Sequence, residues 1–254
     1  MKLFFREISS EGQPLIIIHG LFGFSDNWVT FAKQLTDNYR VLLIDQRNHG
    51  NSPHSDIWDY EAMAEDLREF IEDLQLENPI IMGHSMGGKA AMEFAIRYPS
   101  MLEKLIVVDI APKSYPLHHQ KIIAGLESLD LKNIKSRQEA DKQLEKFIPE
   151  FGTRLFLMKN LARDKEGNFK LKMNLPVISQ NIANVVASIS EGAHFMKPTL
   201  FIRGDQSDYI LDSDFDLIED IFSDVEIETV ENAGHWIHAD KPQELLNIVK
   251  DFID

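Results

Sequence analysis

The sequence predicts an α/β protein: a mostly parallel central sheet with helices on both faces and a helical cap inserted before the penultimate strand. Three observations carry that prediction. Short, nearly continuous apolar runs recur along the chain, helical patterns separate them, and one long stretch, residues 112–197, breaks the alternation without a convincing buried strand. Continuous apolar runs suit strands covered on both faces, as in a parallel sheet. Strands alternating with helices imply right-handed crossovers between parallel neighbours.

Each element has its own signal. Residues 15–19 (LIIIH), 41–45 (VLLID), 80–83 (IIMG), 105–110 (LIVVDI) and 199–203 (TLFIR) are the buried-strand runs, and 226–230 (EIETV) alternates like a last, more exposed strand. Residues 60–75 carry Met63, Leu67, Phe70, Ile71 and Leu74 at helical spacing. A helix over 85–98 is stopped by Pro99, and one over 242–252 turns Leu245, Ile248, Val249 and Phe252 inward. Within the interruption, 136–148 and 151–161 look helical and 164–168 (DKEGN) looks like a turn. The apolar rhythm resumes at Pro198, so the expected organisation is a core of residues 1–111 and 198–254 with a cap of residues 112–197.

Composition narrows the function. A length of 254 residues fits one unit of this class. There are 41 acidic against 26 basic residues, a net charge of −15. That field repels the phosphate backbone of nucleic acid and anionic lipid surfaces, so neither is the expected partner. No cysteine is present, which excludes disulfides, thiolate catalysis and cysteine-based zinc sites. The apolar run from Leu3 to Phe5 is broken by Arg6 and Glu7, too short for a signal peptide. No run approaches the ~20 residues of a membrane span. The expectation is a cytoplasmic protein of unknown oligomeric state.

The chemistry concentrates at Gly83-His84-Ser85-Met86-Gly87, a G-x-S-x-G between a strand and a helix. A sharp strand-to-helix turn projects the serine hydroxyl outward, and glycines let neighbouring backbone pass closely. The helix start also aims N–H groups and a positive dipole end at the same place. Ser85 is therefore the candidate nucleophile, although serine also caps helices well. A hydroxyl needs a base. Of nine histidines, His235 in Glu231-Asn232-Ala233-Gly234-His235-Trp236 follows the last strand and precedes the last helix, on the same sheet edge as Ser85. His238 is its local rival.

The acid is less clear. The expected chain order is serine, acid, histidine, and the usual segment here reads Gly204-Asp205-Gln206-Ser207-Asp208, with Ser207 at the acid position. Asp109, at the end of the neighbouring strand run, is the preferred candidate over Asp205 and Asp208. For the oxyanion, the loop His19-Gly20-Leu21-Phe22-Gly23 offers the N–H of Leu21, to be paired with that of Met86. The polar loop from Asp45 to Ser52 reads as bracing. Phe22, Phe151, Leu155, Phe156 and Met158 are apolar candidates for the substrate pocket or the cap core.

Taken together, the HGLFG, DQRNHGNS, GHSMGG, VVDIAP and NAGHWIHADKP segments resemble the α/β-hydrolase superfamily of serine esterases, and in particular the small bacterial YbfF-type acyl esterases. The resemblance spans the chain outside residues 112–197. It implies Ser85 as nucleophile, His235 as base, Asp109 as acid with Ser207 beside it, and Leu21 and Met86 as oxyanion donors. It also implies a serine hydrolase of short- to medium-chain acyl esters or thioesters, working through an acyl-enzyme without metal or organic cofactor. A haloperoxidase-like perhydrolase and a carbon–carbon bond hydrolase would use the same triad. A non-catalytic binding protein is disfavoured, because such proteins usually lose a triad member.

Overall fold

The computed structural model describes residues 1–254 except 191 and 193. The strands are β1 (Phe5–Glu7), β2 (Gln13–Ile18), β3 (Tyr39–Ile44), β4 (Ile80–His84), β5 (Lys104–Val108), β6 (Leu161–Arg163), β7 (Phe169–Leu171), β8 (Thr199–Gly204) and β9 (Val225–Val230). Seven of them form one sheet in the order β1-β3-β2-β4-β5-β8-β9. β1 runs antiparallel to β3 and the other five pairings are parallel. β6 and β7 make a separate antiparallel hairpin around the turn predicted at 164–168. Neither β1 nor the strands of this hairpin are expected from the sequence, because three residues are too few to show a period.

The helices are α1 (Val29–Ala32), α2 (Tyr60–Asp73), α3 (Met86–Arg97), α4 (Gln120–Glu127), α5 (Arg137–Leu144), α6 (Phe151–Met158), α7 (Leu175–Gln180), α8 (Ile182–Val186), α9 (Phe215–Ile221), α10 (Ile237–Asp240) and α11 (Pro242–Ile253). Strand parity assigns them to layers, since successive side chains point to opposite faces. Ile16, Ile18, Leu42, Ile44, Ile81, Leu105 and Val107 pack with Leu67 and Ile71 of α2, Met92 and Phe94 of α3, and Ile218 of α9. The alternate residues Leu15, Ile17, Val41, Leu43, Ile80, Met82, Ile106 and Val108 pack with Phe31 of α1 and Leu245 and Val249 of α11. In α11 the fully buried stripe is Leu245, Leu246, Val249 and Ile253. Ile248 and Phe252 are only partly buried beside it, so the inward face is turned slightly from the predicted one.

A third apolar cluster lies beyond the strand ends. Leu21, Phe22 and Met86 pack there against Ile123, Leu126, Leu144 and Leu157 from the segment between β5 and β8. That segment holds α4 to α8 and the hairpin; it leaves the sheet at the carboxyl end of β5 and re-enters at the amino end of β8, which runs parallel to β5. Ser85, Asp109, His235, Leu21, Asp205 and Ser207 sit in turns at the carboxyl edge, after β4, β5, β9, β2 and β8, and Met86 opens α3 there; open parallel sheets place their ligands at that edge. Among the described residues no helix is long and apolar enough to cross a membrane.

Candidate active site

The turn after β4 holds Ser85 at φ 53° and ψ −119°, a conformation that non-glycine residues rarely adopt. Its N–H donates to Val108 O at 2.9 Å, and its carbonyl accepts from Lys89 N–H as α3 begins. Two glycines make the bend possible. A Cβ on Gly83 would lie 2.2 Å from Gly87 O, and one on Gly87 would lie 2.5 Å from His19 O. The hydroxyl is thereby presented at the strand edge with the amino end of a helix behind it.

His235 reaches the same point from the turn after β9. The Ser85 hydroxyl donates to His235 Nε2 at 3.0 Å, and His235 Nδ1–H donates to Asp109 Oδ2 at 2.7 Å. A carboxylate only accepts, so this contact fixes the proton on Nδ1 and leaves Nε2 free to receive one. The imidazole is clamped by its surroundings. The Tyr209 ring stacks on it with centroids 4.0 Å apart and planes at 22°. His84 Nε2–H holds the His235 carbonyl at 2.8 Å.

Asp109 is fully buried, and it too has positive φ, at 51°. Its Oδ2 also accepts from the Ser207 hydroxyl, and its Oδ1 accepts from Gly204 N–H at 3.2 Å. Ser207 therefore stands beside the carboxylate. Asp205 and Asp208 are exposed. Asp205 does not touch the imidazole; its Oδ1 accepts from Ala233 N–H at 3.3 Å, bracing the loop that carries His235. His238, the local rival, stacks on Trp28 at 4.4 Å. Burial, with His235 and Lys159 nearby, pushes its imidazole down to about 4.

The loop after β2 supplies the other side. Among the described residues neither Leu21 N–H nor Met86 N–H donates to a protein acceptor. The loop is held from behind. His19 Nδ1–H donates to Gly20 O at 2.8 Å and its Nε2 accepts from Gln46 N–H at 3.0 Å. Phe22, at φ 61°, has its carbonyl held by Asn160 Nδ2 at 2.7 Å and its N–H directed at His49 Nε2. Asp45 in turn accepts from Ser25 N–H and Asn51 N–H, so the loop from Asp45 to Ser52 is the brace expected of it. Burial drives the His19 and His84 imidazoles below their ordinary range, and it drives His49 down to about 3. These rings stay neutral and act as fixed donors and acceptors.

Above Ser85 lies a cavity of about 420 Å³, walled largely by apolar groups including Phe22, Phe147, Ile148, Phe156 and Trp236. Phe151 and Leu155, expected in the pocket, are 58% and 45% exposed and take no part in it. The reason is helical phase. In α6, Thr153, Phe156 and Leu157 line the cavity, and Phe151 and Leu155 fall on the opposite side at 100° per residue. Tyr209, His118 and His119 also line the cavity without any distinguishing sequence motif. Only the tertiary fold brings them to Ser85. No three His, Cys, Asp or Glu side chains among the described residues are grouped to hold a metal ion.

The chain belongs to the α/β-hydrolase fold family, whose model matches residues 13–242. It is 37% identical over 247 residues to the sn-1-specific diacylglycerol lipase ABHD11 of Mus musculus, covering 94% of this chain and 80% of that protein. It is 32% identical to Esterase YbfF of Escherichia coli (strain K12) over 261 residues, covering all of both chains. A solved structure described as a marine microorganism esterase superposes with a TM-score of 0.97 at 45% identity over 99% of each chain.

Proposed function

We propose that this protein hydrolyses short- to medium-chain carboxylic esters, thioesters included, through an acyl-enzyme formed on Ser85. The observation that carries the reading is the row Ser85–His235–Asp109, open to an apolar cavity and flanked by two unengaged backbone N–H groups. Relatives and a solved neighbour named as esterase or lipase support ester hydrolysis as the reaction.

Ser85 Oγ attacks the ester carbonyl as its proton passes to His235 Nε2. The carbonyl oxygen becomes an oxyanion held by the N–H groups of Leu21 and Met86. His235 then gives the proton to the departing alcohol or thiol, leaving the acyl group on Ser85. A water repeats the sequence, delivering its proton to His235, and the acid leaves as Ser85 is restored. Asp109 keeps the imidazole in the tautomer required and offsets its charge when protonated. Residues 112–197 serve as a cap that roofs the cavity. The absence of cysteine fits a reducing, cytoplasmic setting.

The test is a pre-steady-state assay with p-nitrophenyl acetate and butyrate, alongside fluorophosphonate labelling. Wild type is expected to show a burst of nitrophenol and to label; Ser85→Ala is expected to do neither. Turnover that survives Ser85→Ala would overturn the proposal.

A further inference from the structure

The cleft has a second compartment. A recess of about 20 Å³ opens on the far side of Ser85, and Tyr60, Ile110, Tyr115, Val185 and Val186 wall it. Leu21, Ser85, His118, His119 and Tyr209 line both spaces and form the septum between them. Their linings otherwise differ in a way that bears on the reaction. His235 and Trp236 line the large cavity only, whereas Met86 lines the recess only.

We infer that the recess is the acyl subsite and that it favours acyl groups of about two or three carbons over longer ones, which turn over more slowly, while the large cavity takes the alcohol or thiol side. This rests on the acyl-enzyme reading above. The argument is stereochemical. The proton that His235 took must reach the leaving-group oxygen, so that oxygen faces the imidazole and its substituent extends into the space that His235 lines. The acyl substituent, bonded to the same carbon, is directed away from His235, toward Met86 and the recess. Size then sets the limit. One water-sized group needs roughly 10–15 Å³, so the recess holds one or two carbons beyond the carbonyl.

The recess is also held rigid. Lys89, one turn into α3 and wholly buried, donates to Lys113 O at 2.7 Å and to Ala187 O. It thereby ties together the two chain passages that carry Tyr115 and Val186. The same ammonium lies over the rings of Tyr115 at 4.7 Å and Tyr60 at 5.7 Å. Tyr60 OH donates to Val185 O at 2.6 Å, and Tyr115 N–H donates to Val186 O at 2.7 Å. A longer acyl chain would have to break this set of contacts to enter.

The test uses two isomeric esters with the acyl and alcohol parts exchanged, hexyl acetate and ethyl hexanoate, assayed on the full chain. Wild type is expected to favour hexyl acetate in kcat/KM by at least about tenfold, the scale of discrimination that misplaced methylenes produce. Val186→Ala, which enlarges the recess, is expected to narrow that ratio by raising turnover of ethyl hexanoate, with a cooperative thermal transition at a modestly lowered midpoint showing that the fold is intact. Should that variant fail to fold, Ile110→Val provides the same comparison. Equal rates, or a preference for ethyl hexanoate, with Ser85-dependent hydrolysis retained would overturn the lobe assignment and leave the acyl-enzyme reading standing. Loss of Ser85-dependent hydrolysis for both esters would overturn the two together.

Discussion

Asp109 is a buried carboxylate that accepts from three donors: His235 Nδ1–H, the Ser207 hydroxyl and Gly204 N–H. A buried charge is tolerable only when so paired. Replacing it by Asn keeps the shape but reverses one hydrogen-bonding group, so the imidazole loses both its tautomer control and its negative partner. Asp109→Asn is therefore expected to lower kcat by roughly 10³–10⁴-fold. Asp205→Asn should cost far less, because an amide oxygen can still accept from Ala233 N–H. Steady-state kinetics on the two variants decides the matter, and equal losses would remove Asp109 from its assigned role. Ser207→Ala leaves one carboxylate lone pair unserved. It should destabilise the fold by about 1–3 kcal/mol, as read by urea denaturation, with a smaller effect on kcat.

At the scale of elements, the junction of β4 and α3 is tightly constrained. Ser85 is held at positive φ by its own N–H bond to Val108 and by the close approach of Gly83 to Gly87. Gly83→Ala would set a methyl 2.2 Å from a backbone oxygen and 2.6 Å from Gly88 N, and neither neighbour is a flexible side chain. The backbone must move, at a cost of at least about 1–3 kcal/mol. The expected result is a lowered urea midpoint together with loss of fluorophosphonate labelling. A variant that labels at the wild-type rate would show that the bend can relax without cost. The helical segment between β5 and β8 has the opposite character. Its phase is set by packing, and Phe151 and Leu155 are exposed although their residue types suit a pocket equally well.

At the scale of the whole molecule, the site is built around imidazoles that must stay uncharged. Burial holds His49 and His119 down to about 3 and His238 to about 4, against an ordinary 6.5, with neighbouring histidines adding to the shift. Between those values and 6.5 the unfolded chain binds protons that the folded one refuses. Stability is therefore complete above pH 6.5 and falls as pH decreases below it. At pH 5 each such histidine costs up to roughly 2 kcal/mol. Urea midpoints measured at pH 7.5, 6 and 5 should decline steeply over that interval. A flat profile would mean that these rings are charged, or free to become so, in the native state.

Sequence by itself determined six strands of the sheet, the edge on which chemistry gathers, and two residues, Ser85 and His235, that prove to be hydrogen-bonded neighbours. The reason is that these signals are local. Apolar runs, the glycines around Ser85 and the Gly234-His235 turn depend on neighbours a few residues away. Short elements such as β1 and the β6–β7 hairpin carried too little pattern to be read. Only the tertiary structure decided which surface of α6 faces the cavity, that Asp109 rather than Asp205 touches the imidazole, and that Tyr209 covers it. It also decided that Lys89 ties two distant chain passages beside a recess. Each of these depends on residues far apart in the chain meeting at a sheet edge, and packing in three dimensions is what brings them there.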